Sequence, residues 1–197
     1  MFKKWTNKTN LEILEIFRKN IFSQLSLSQI EKSLGLSHHP TYRRIKQLQS
    51  EGLIISKGRD YVLDVANPET IEALYILSRM DRFIFMNSYK NDLFKRLGDN
   101  FEEDSTIECA IIFGSYARAE QTKSSDLDIF LITSTNKKIN LSFEAMYDVK
   151  TSIIYSSKKE FISMIKDRKK IIKDLYLEGI MIKGNLYKIL SDNYGDW

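Results

Sequence analysis

The chain has 197 residues, of which 43% are hydrophobic and 28% charged, with a formal net charge of +4 and one cysteine. This composition excludes a disordered chain, an internal disulfide and a membrane helix, which needs roughly 20 consecutive apolar residues. Because no apolar stretch follows the first lysines, we expect a cytoplasmic protein without a signal peptide or a membrane partner.

The charge is unevenly distributed along the chain. Residues 1–65 carry 11 Lys and Arg against 6 Asp and Glu, whereas residues 66–197 carry 19 against 20. An excess of cationic residues in one segment indicates a polyanionic partner for that segment. The sequence therefore predicts a polyanion partner for the first third of the chain only.

Residues 25–64 read as two short helices followed by a hairpin. Ser28 and Glu31 have the spacing of a capping box at the start of the first helix, and Gly35 is expected to end it. Ser37 is expected to cap the second helix, and two strands around a Lys-Gly-Arg turn complete the segment.

One face of the second helix is predicted to be buried. Tyr42, Ile45 and Leu48 recur at helical spacing and are expected to face the core. The side chains left outside on this helix and on the hairpin turn are candidates for DNA contact, namely Thr41, Arg43, Arg44, Lys46, Gln47, Lys57 and Arg59. Arg suits guanine and Gln suits adenine, while Lys and Arg on phosphates supply affinity without sequence information.

A basic helix followed by "SEGLI" and a hairpin resembles the winged helix-turn-helix family over about residues 10–65. The resemblance implies that residues 38–49 lie in the major groove of double-stranded DNA, with Lys57 and Arg59 near phosphates. Winged helices also serve as protein-docking modules, and basic helix faces are often only solvated, so binding to protein or to RNA stays open.

Residues 69–101 read as helix, with a bend or break near Asn87 and Ser88. Six apolar side chains fall on one face at helical spacing, namely Ala73, Ile76, Leu77, Met80, Phe83 and Ile84. This face is interpreted either as the core of an interdomain helix or as the surface of a homodimer.

Beyond this helix the pattern changes to short apolar strands. "TIECAIIF", "LDIFLIT" and "DVKTSIIY" predict three strands, and the helical segment "KKEFISMIKDRKKIIKDLYLEG" follows. Strands mixed with helices predict an α/β or α+β domain, and for the whole chain we expect the α+β class. Its predicted parts are an N-terminal winged helix-turn-helix domain (residues 1–66), a helical linker (67–100) and a C-terminal mixed sheet with flanking helices (101–197).

The stretch "GSYARAEQTKSSDLDIF" places Gly-Ser after one apolar strand and two aspartates at the start of the next. Residues two apart in a strand point to the same face, so Asp126 and Asp128 are expected to lie side by side. Adjacent carboxylates repel unless a cation lies between them, and oxygen ligands suit Mg²⁺. Gly114 leaves room for the close approach of a phosphate, and Ser115 offers a hydroxyl and a backbone N–H at a helix start. These residues therefore predict a site for a magnesium ion and a phosphate group.

This arrangement resembles the nucleotidyltransferase superfamily of the DNA-polymerase-β type, in which a strand is followed by Gly-Ser, about ten residues and Asp-x-Asp. The resemblance covers roughly residues 85–190 and implies a Mg²⁺-dependent enzyme that transfers a nucleoside monophosphate from a nucleoside triphosphate to an acceptor hydroxyl. It further implies that Asp126 and Asp128 bind the metal and act in catalysis, and that Gly114, Ser115 and Ser125 bind the nucleotide. "LYLEGIMIKGNLY" resembles the small hairpin that closes such domains after the last helix.

Two positions depart from the family pattern. Ala119, expected at a helical position, stands where many members have glycine after "YAR". Ser152 aligns with the third carboxylate that the resemblance implies for the activation of the acceptor. Asp148, four residues earlier and expected on the same strand face, is the candidate substitute, and Glu144 is more distant.

Two functions follow from these resemblances. The first is an antitoxin-like, DNA-binding nucleotidyltransferase with a toxin-like protein partner, because small members of this family often belong to toxin–antitoxin modules. The second is a transcriptional regulator whose nucleotidyltransferase-like domain is inactive and senses nucleotide or mediates assembly. The missing third carboxylate favours the second function, whereas the retained Gly-Ser and paired aspartates favour nucleotide and metal binding.

Overall fold

The computed structural model describes residues 5–89, 92–135 and 147–193. These residues divide into two compact units. The first contains the residues up to Leu77 and those from Leu190 onward, and the second contains Ser78 to Ile189. In the described part of the chain, no helix combines the length and the apolar character that a membrane span requires.

The first unit consists of helices and one small hairpin. Its elements are α1 (Lys8–Lys19), α2 (Leu27–Leu34), α3 (His38–Ser50), β1 (Ile54–Lys57), β2 (Asp60–Leu63) and the first half of α4 (Pro68–Ser88). The core takes one apolar stripe from each helix, including Ile13 and Phe17 of α1 and Ile45 and Leu48 of α3, all of which are fully buried. β1 and β2 pair antiparallel, and Leu25 adds a bridge to Tyr61 beside them.

The start of α2 differs from the prediction. The capping box is formed by Ser26 and Gln29, not by Ser28 and Glu31: Ser26 Oγ accepts from the Gln29 N–H, and Gln29 Oε1 accepts from the Ser26 N–H. Both pairs have the same three-residue spacing. Because α2 begins at Leu27, Ser26 is the N-cap residue and Gln29 is at the third helical position. The end of α2 is as predicted, because Gly35 adopts a left-handed conformation with φ 64°.

The second unit is built on a four-stranded sheet with the strand order β5-β4-β3-β6. Besides the second half of α4, its elements are α5 (Leu93–Glu103), β3 (Ile107–Phe113), α6 (Gly114–Ala117), β4 (Leu127–Thr133), β5 (Thr151–Ser156), α7 (Lys158–Lys166), α8 (Lys170–Glu178), β6 (Ile180–Lys183) and α9 (Leu186–Ser191), which reaches across the unit boundary. β4 and β5 are parallel and the other neighbours antiparallel, so the predicted mixed sheet of an α+β fold is confirmed.

The predicted closing hairpin is wrong. Residues 180–183 form one strand, β6, which pairs antiparallel with β3 and is followed directly by α9. The partner of β6 therefore lies about 70 residues earlier in the chain instead of next to it. The predicted long helix after β5 is also two helices, because the chain turns at Arg168, whose φ is 51°.

The central strands position the residues that the sequence analysis singled out. Leu127, Ile129 and Leu131 of β4 belong to one buried cluster together with residues of α5 and β3. Because side chains alternate along a strand, Asp128 and Phe130 point to the opposite face, where Phe130 contacts Phe161 of α7. The apolar residues of β4 thus fix the strand in register and leave Asp128 at its open end.

Helix α4 ends at Ser88, at the predicted break. On its predicted apolar face, Ala73 and Leu77 are buried, but Ile76, Met80, Phe83 and Ile84 are exposed, Phe83 to 71%. The interpretation of the whole face as a core was therefore wrong, because four of its six side chains contact solvent in the described structure. The homodimer surface stays a prediction.

Candidate functional site

The turn after β3 brings Gly114 against Asp128. Gly114 has φ 72°, and a Cβ atom at this position would overlap the carboxylate of Asp128. Phe113 and Asp128 are partners in the ladder between β3 and β4. A phosphate was expected to approach this glycine closely, but in the structure the Asp128 carboxylate lies there. Glycine at position 114 is therefore needed for the carboxylate itself, and any larger residue would displace it.

Asp126 and Asp128 lie together at the start of β4, as predicted. Asp126 precedes the strand and is exposed, and Asp128 is half-buried. The pKa of Asp128 is raised, first by burial and then by the negative charge of Asp126, while a hydrogen bond from Ser152 and the Arg118 charge act in the opposite direction. A half-buried carboxylate with a second carboxylate beside it forms a site where a divalent cation with oxygen ligands is favoured.

The third position of the predicted site holds a hydroxyl group. The parallel pairing of β4 and β5 puts Ser152 directly opposite Asp128, which agrees with the alignment made from the sequence. Among the described residues, no group of three His, Cys, Asp or Glu side chains could hold a metal ion. In the described part of the chain, the candidate metal ligands Asp126 and Asp128 therefore remain a pair without a third carboxylate.

Asp148 is not on a strand face shared with Ser152, so that expectation was wrong. β5 begins only at Thr151, and Asp148 is exposed in a turn with φ 50°. Its φ lies outside the β region, so the strand cannot extend back to it. Glu144, the more distant candidate, lies outside the described residues.

The loop between α6 and β4 is held at both ends. Arg118 donates from Nε to Glu120 Oε2 at 2.7 Å and from Nη1 to Glu178 Oε1 at 2.6 Å, which ties the loop to the end of α8. At the other end, Ser125 Oγ accepts from the Thr122 N–H at 2.9 Å and so closes a turn just before Asp126. Ser125, predicted to bind nucleotide, is therefore next to the carboxylates but already has a role in the turn.

Ala119 is not in a helix, contrary to expectation. α6 ends at Ala117, and Ala119 has φ 57°, in the left-handed region. Glycine adopts this conformation without the steric cost that a Cβ atom brings, which explains why the family motif has glycine there.

Tyr116 is a residue of the site that sequence reasoning did not select. Its side chain is buried next to Phe94, its pKa is raised by burial and by the charge of Asp126, and its carbonyl accepts from the Tyr89 hydroxyl at 3.0 Å. The aromatic residue inside "GSYAR" was the available signal. Because the charge of Asp126 acts on its hydroxyl, Tyr116 lies near this carboxylate.

The candidate DNA-binding residues of α3 and the hairpin have mixed environments. Thr41 is fully buried, and its hydroxyl donates to the Ser37 carbonyl, so its predicted exposure was wrong. Tyr42, predicted to be in the core, is 41% exposed, stacks on His38 and has Lys46 Nζ 5.3 Å from its ring centre. Thr41 lies four residues before Ile45 and Tyr42 three, so both positions are compatible with the buried stripe.

The other candidate residues do reach solvent. Arg43, Lys46, Lys57 and Arg59 are exposed, and Arg44 and Gln47 are half-buried, with Arg44 Nη1 donating to Gln47 Oε1 at 3.0 Å. Cationic side chains therefore lie on the outer side of α3 and on the hairpin turn.

Comparison with known proteins identifies part of the chain. Residues 95–186 match the family described as Polymerase beta, Nucleotidyltransferase. This part of the chain, which includes β3 to β6 and the loop with Gly114 and both aspartates, is a nucleotidyltransferase domain of that type. The N-terminal helices and hairpin lie outside the match. No curated protein and no solved structure matches the chain.

Proposed function

We propose that the nucleotidyltransferase domain binds a nucleoside triphosphate together with Mg²⁺ and transfers a nucleoside monophosphate to an acceptor hydroxyl. The observation that carries this proposal is the contact of the Asp128 carboxylate with the backbone of Gly114, with Asp126 beside it. The half-buried Asp128 has its charged form disfavoured by burial and by the neighbouring Asp126, and a bound cation would offset this cost.

The residues of this chain fit a magnesium ion by the chemistry of their donors. Asp126 and Asp128 would hold the ion, which when bound would neutralise the phosphate charge and carry the triphosphate. The half-buried Ser115 would offer its hydroxyl and backbone N–H to a phosphate oxygen. The turn that Ser125 closes and the contact of Arg118 with Glu178 keep Asp126 oriented before any ligand binds.

A second candidate function is a nucleotide-sensing regulator without transfer activity. The specific observation in its favour is Ser152, which lies opposite Asp128 where a further carboxylate would complete a three-ligand cluster. A serine hydroxyl contributes no negative charge, so the site would bind one cation and its nucleotide more readily than two cations. Under transfer, the triphosphate releases pyrophosphate, whereas under sensing it is bound and released intact.

For the first unit, we propose binding to double-stranded DNA in the manner of a winged helix-turn-helix. Support comes from the exposed Arg43 and Lys46 of α3, from Lys57 and Arg59 at the hairpin turn, and from the excess of cationic residues in residues 1–65. Such cations gain affinity by releasing counterions from phosphates. Together with nucleotide transfer, this would suit an antitoxin-like protein that regulates its own synthesis and modifies a toxin-like partner.

The nucleotide site is tested by thermal unfolding of the full chain with each nucleoside triphosphate, with and without Mg²⁺. A ligand present at about 100 times its dissociation constant stabilises the folded state by roughly 2.7 kcal/mol, which raises Tm. We expect a Mg²⁺-dependent rise for wild type and none for Asp128→Asn. Asp99→Asn, the same change at an exposed position of α5, should behave as wild type.

In EDTA, where no metal is bound, Asp128→Asn should stabilise the protein. The pKa of Asp128 is raised in the folded state, so its ionisation favours unfolding, and this loss of stability is complete once the pH exceeds the folded pKa. At neutral pH without metal, Asp128→Asn should therefore raise Tm. A triphosphate shift that survives in Asp128→Asn, or its absence in wild type, would reject the site. Pyrophosphate release then separates transfer from sensing.

A further inference from the structure

A group of cationic side chains lies at the turn between α7 and α8, at the end of α8 opposite to Glu178, which pairs with Arg118. Within residues 166–173, which we name the basic turn, five of eight residues are cationic: Lys166, Arg168, Lys169, Lys170 and Lys173. All five are exposed, and Asp167 is the one acidic residue in the stretch.

The basic turn stands out against its surroundings. Residues 66–197 carry 19 Lys and Arg against 20 Asp and Glu, and without the basic turn the remainder carries 14 against 19. The most cationic stretch of the second unit is therefore embedded in a part of the chain with net negative charge. Such a concentration of one sign creates a local positive potential at the surface.

Most of these cations have no carboxylate partner. Arg82, Arg96 and Arg118 of the same unit each form an ion pair. Within the described ranges, by contrast, no ion pair involves Arg168, Lys169, Lys170 or Lys173. Their charges remain available to an external anion.

Arg168 has a backbone conformation that is unfavourable for any residue with a Cβ atom. The Arg168 N–H donates to the Ile165 carbonyl at 2.9 Å and the Lys169 N–H to the Met164 carbonyl at 3.0 Å, the pattern that ends a helix with a left-handed residue. Arg168 is that residue, with φ 51°. Glycine would be favoured there, as at the end of α2, so stability alone does not explain the arginine.

We propose that the basic turn binds the phosphate backbone of a nucleic acid, at a site separate from Asp126 and Asp128. Arg and Lys supply most contacts to phosphates, whereas Lys is depleted in protein–protein interfaces. A membrane surface fits less well, because the exposed side chains of the turn are all charged and its apolar ones, Ile171 and Ile172, are half-buried and buried. Interfacial binding requires exposed apolar side chains that enter the lipid.

The experiment measures binding of labelled single-stranded RNA and DNA of about 20 nucleotides by fluorescence anisotropy at several salt concentrations. It uses the full chain carrying Arg43→Ala and Lys46→Ala, so that binding by α3 is reduced. The test variant adds Lys169→Gln and Lys170→Gln at the start of α8. The matched control adds Lys158→Gln and Lys159→Gln, the same loss of two charges at the start of α7.

Removing two phosphate contacts should lower the slope of log affinity against log salt by about 1.4 and the affinity roughly tenfold at 0.1 M salt. The control pair should leave both quantities unchanged. Arg168→Gly should weaken binding while raising Tm, a combination that a misfolded variant cannot produce.

Equal losses in the test and control pairs would overturn the proposal, since they would reflect net charge alone. The proposal would also be overturned if Arg168→Gly and the test variant both bound the oligonucleotides as before, or if the parent chain did not bind them. Tighter binding to vesicles of phosphatidylcholine and phosphatidylserine than to the oligonucleotides would reassign the basic turn to a membrane. None of these results depends on a triphosphate or Mg²⁺, so failure here and failure of the nucleotide site are distinguishable.

Discussion

At the scale of single residues, Ala119 in the loop before Asp126 has a strained backbone conformation that one substitution should relieve. Ala119 adopts φ 57°, where an alanine is disfavoured by roughly 1–2 kcal/mol and glycine is not. After subtraction of the larger unfolded-state entropy of glycine, Ala119→Gly should raise the free energy of unfolding by about 1 kcal/mol. Urea unfolding of the full chain measures this change.

The control is Ala117→Gly, two residues earlier at the last position of α6, where a helical alanine is favoured and the substitution should destabilise by about 1 kcal/mol. Similar effects of the two glycines would contradict the assignment of strain to position 119.

Single residues also show where sequence reasoning succeeds and fails. The proximity of Asp126 and Asp128 was predicted from the two-residue repeat of a strand. Ser152 was aligned with the third carboxylate of the family pattern, and the structure pairs it with Asp128. Tyr42 was predicted to be buried and Thr41 to be exposed, whereas the structure has the reverse. Both positions fit the helical repeat, and the tyrosine was chosen because it is the more hydrophobic residue. Burial of a threonine is tolerated when its hydroxyl donates to a backbone carbonyl, as the Thr41 hydroxyl does to that of Ser37. The pattern of apolar residues does not reveal such a hydrogen bond.

At the scale of elements, a side chain of β6 is hydrogen-bonded to the C-terminal end of α5. Lys183 Nζ donates to the carbonyls of Phe101 at 2.7 Å and Asp104 at 2.9 Å, at the end of the helix where carbonyls lack helical partners. Hydrogen bonds from a charged group contribute about 1.5–3 kcal/mol, so Lys183→Met should lower the free energy of unfolding by about 2 kcal/mol.

Lys95→Met, at an exposed position of the same helix α5, serves as the control and should change the free energy of unfolding by no more than about 0.5 kcal/mol. Urea unfolding again measures both. If Lys183→Met is as stable as the control, then the ammonium group does not stabilise the helix end.

The contact of Lys183 with α5 could not be predicted from the sequence, and neither could β6 itself. Strands β3 and β4 were recognised because each contains a run of apolar residues, "CAIIF" and "IFLI", as expected of strands that are largely buried on both faces. The four residues of β6 have the same local pattern as half of a hairpin, and their pairing with β3 is a long-range contact. Local periodicity predicts that a strand exists, but its partner is decided by which sheet edge remains open.

At the scale of the whole molecule, the two units carry different proposed ligands. The family match lies within the part that holds the paired carboxylates, and the cationic excess lies in residues 1–65. These two proposed functions could be assigned to different parts of the sequence because charge and motif differ along the chain. It could not predict that the boundary between compact units falls within α4, since the helical repeat continues through Leu77 and Ser78 without interruption.

The separation predicts two distinct footprints in hydrogen exchange of the full chain. A nucleoside triphosphate with Mg²⁺ should slow exchange in residues 113–128 and leave residues 38–63 unchanged, because a bound ligand suppresses local opening where it is held. Double-stranded DNA should slow exchange in residues 38–63, and Arg43→Ala with Lys46→Ala should remove this second footprint but not the first. A DNA footprint that survives the double substitution would place the duplex elsewhere than on α3, and one centred on residues 166–173 would assign it to the basic turn. If the triphosphate slowed exchange across residues 38–63 as strongly as across 113–128, the two ligands could not be assigned to separate units.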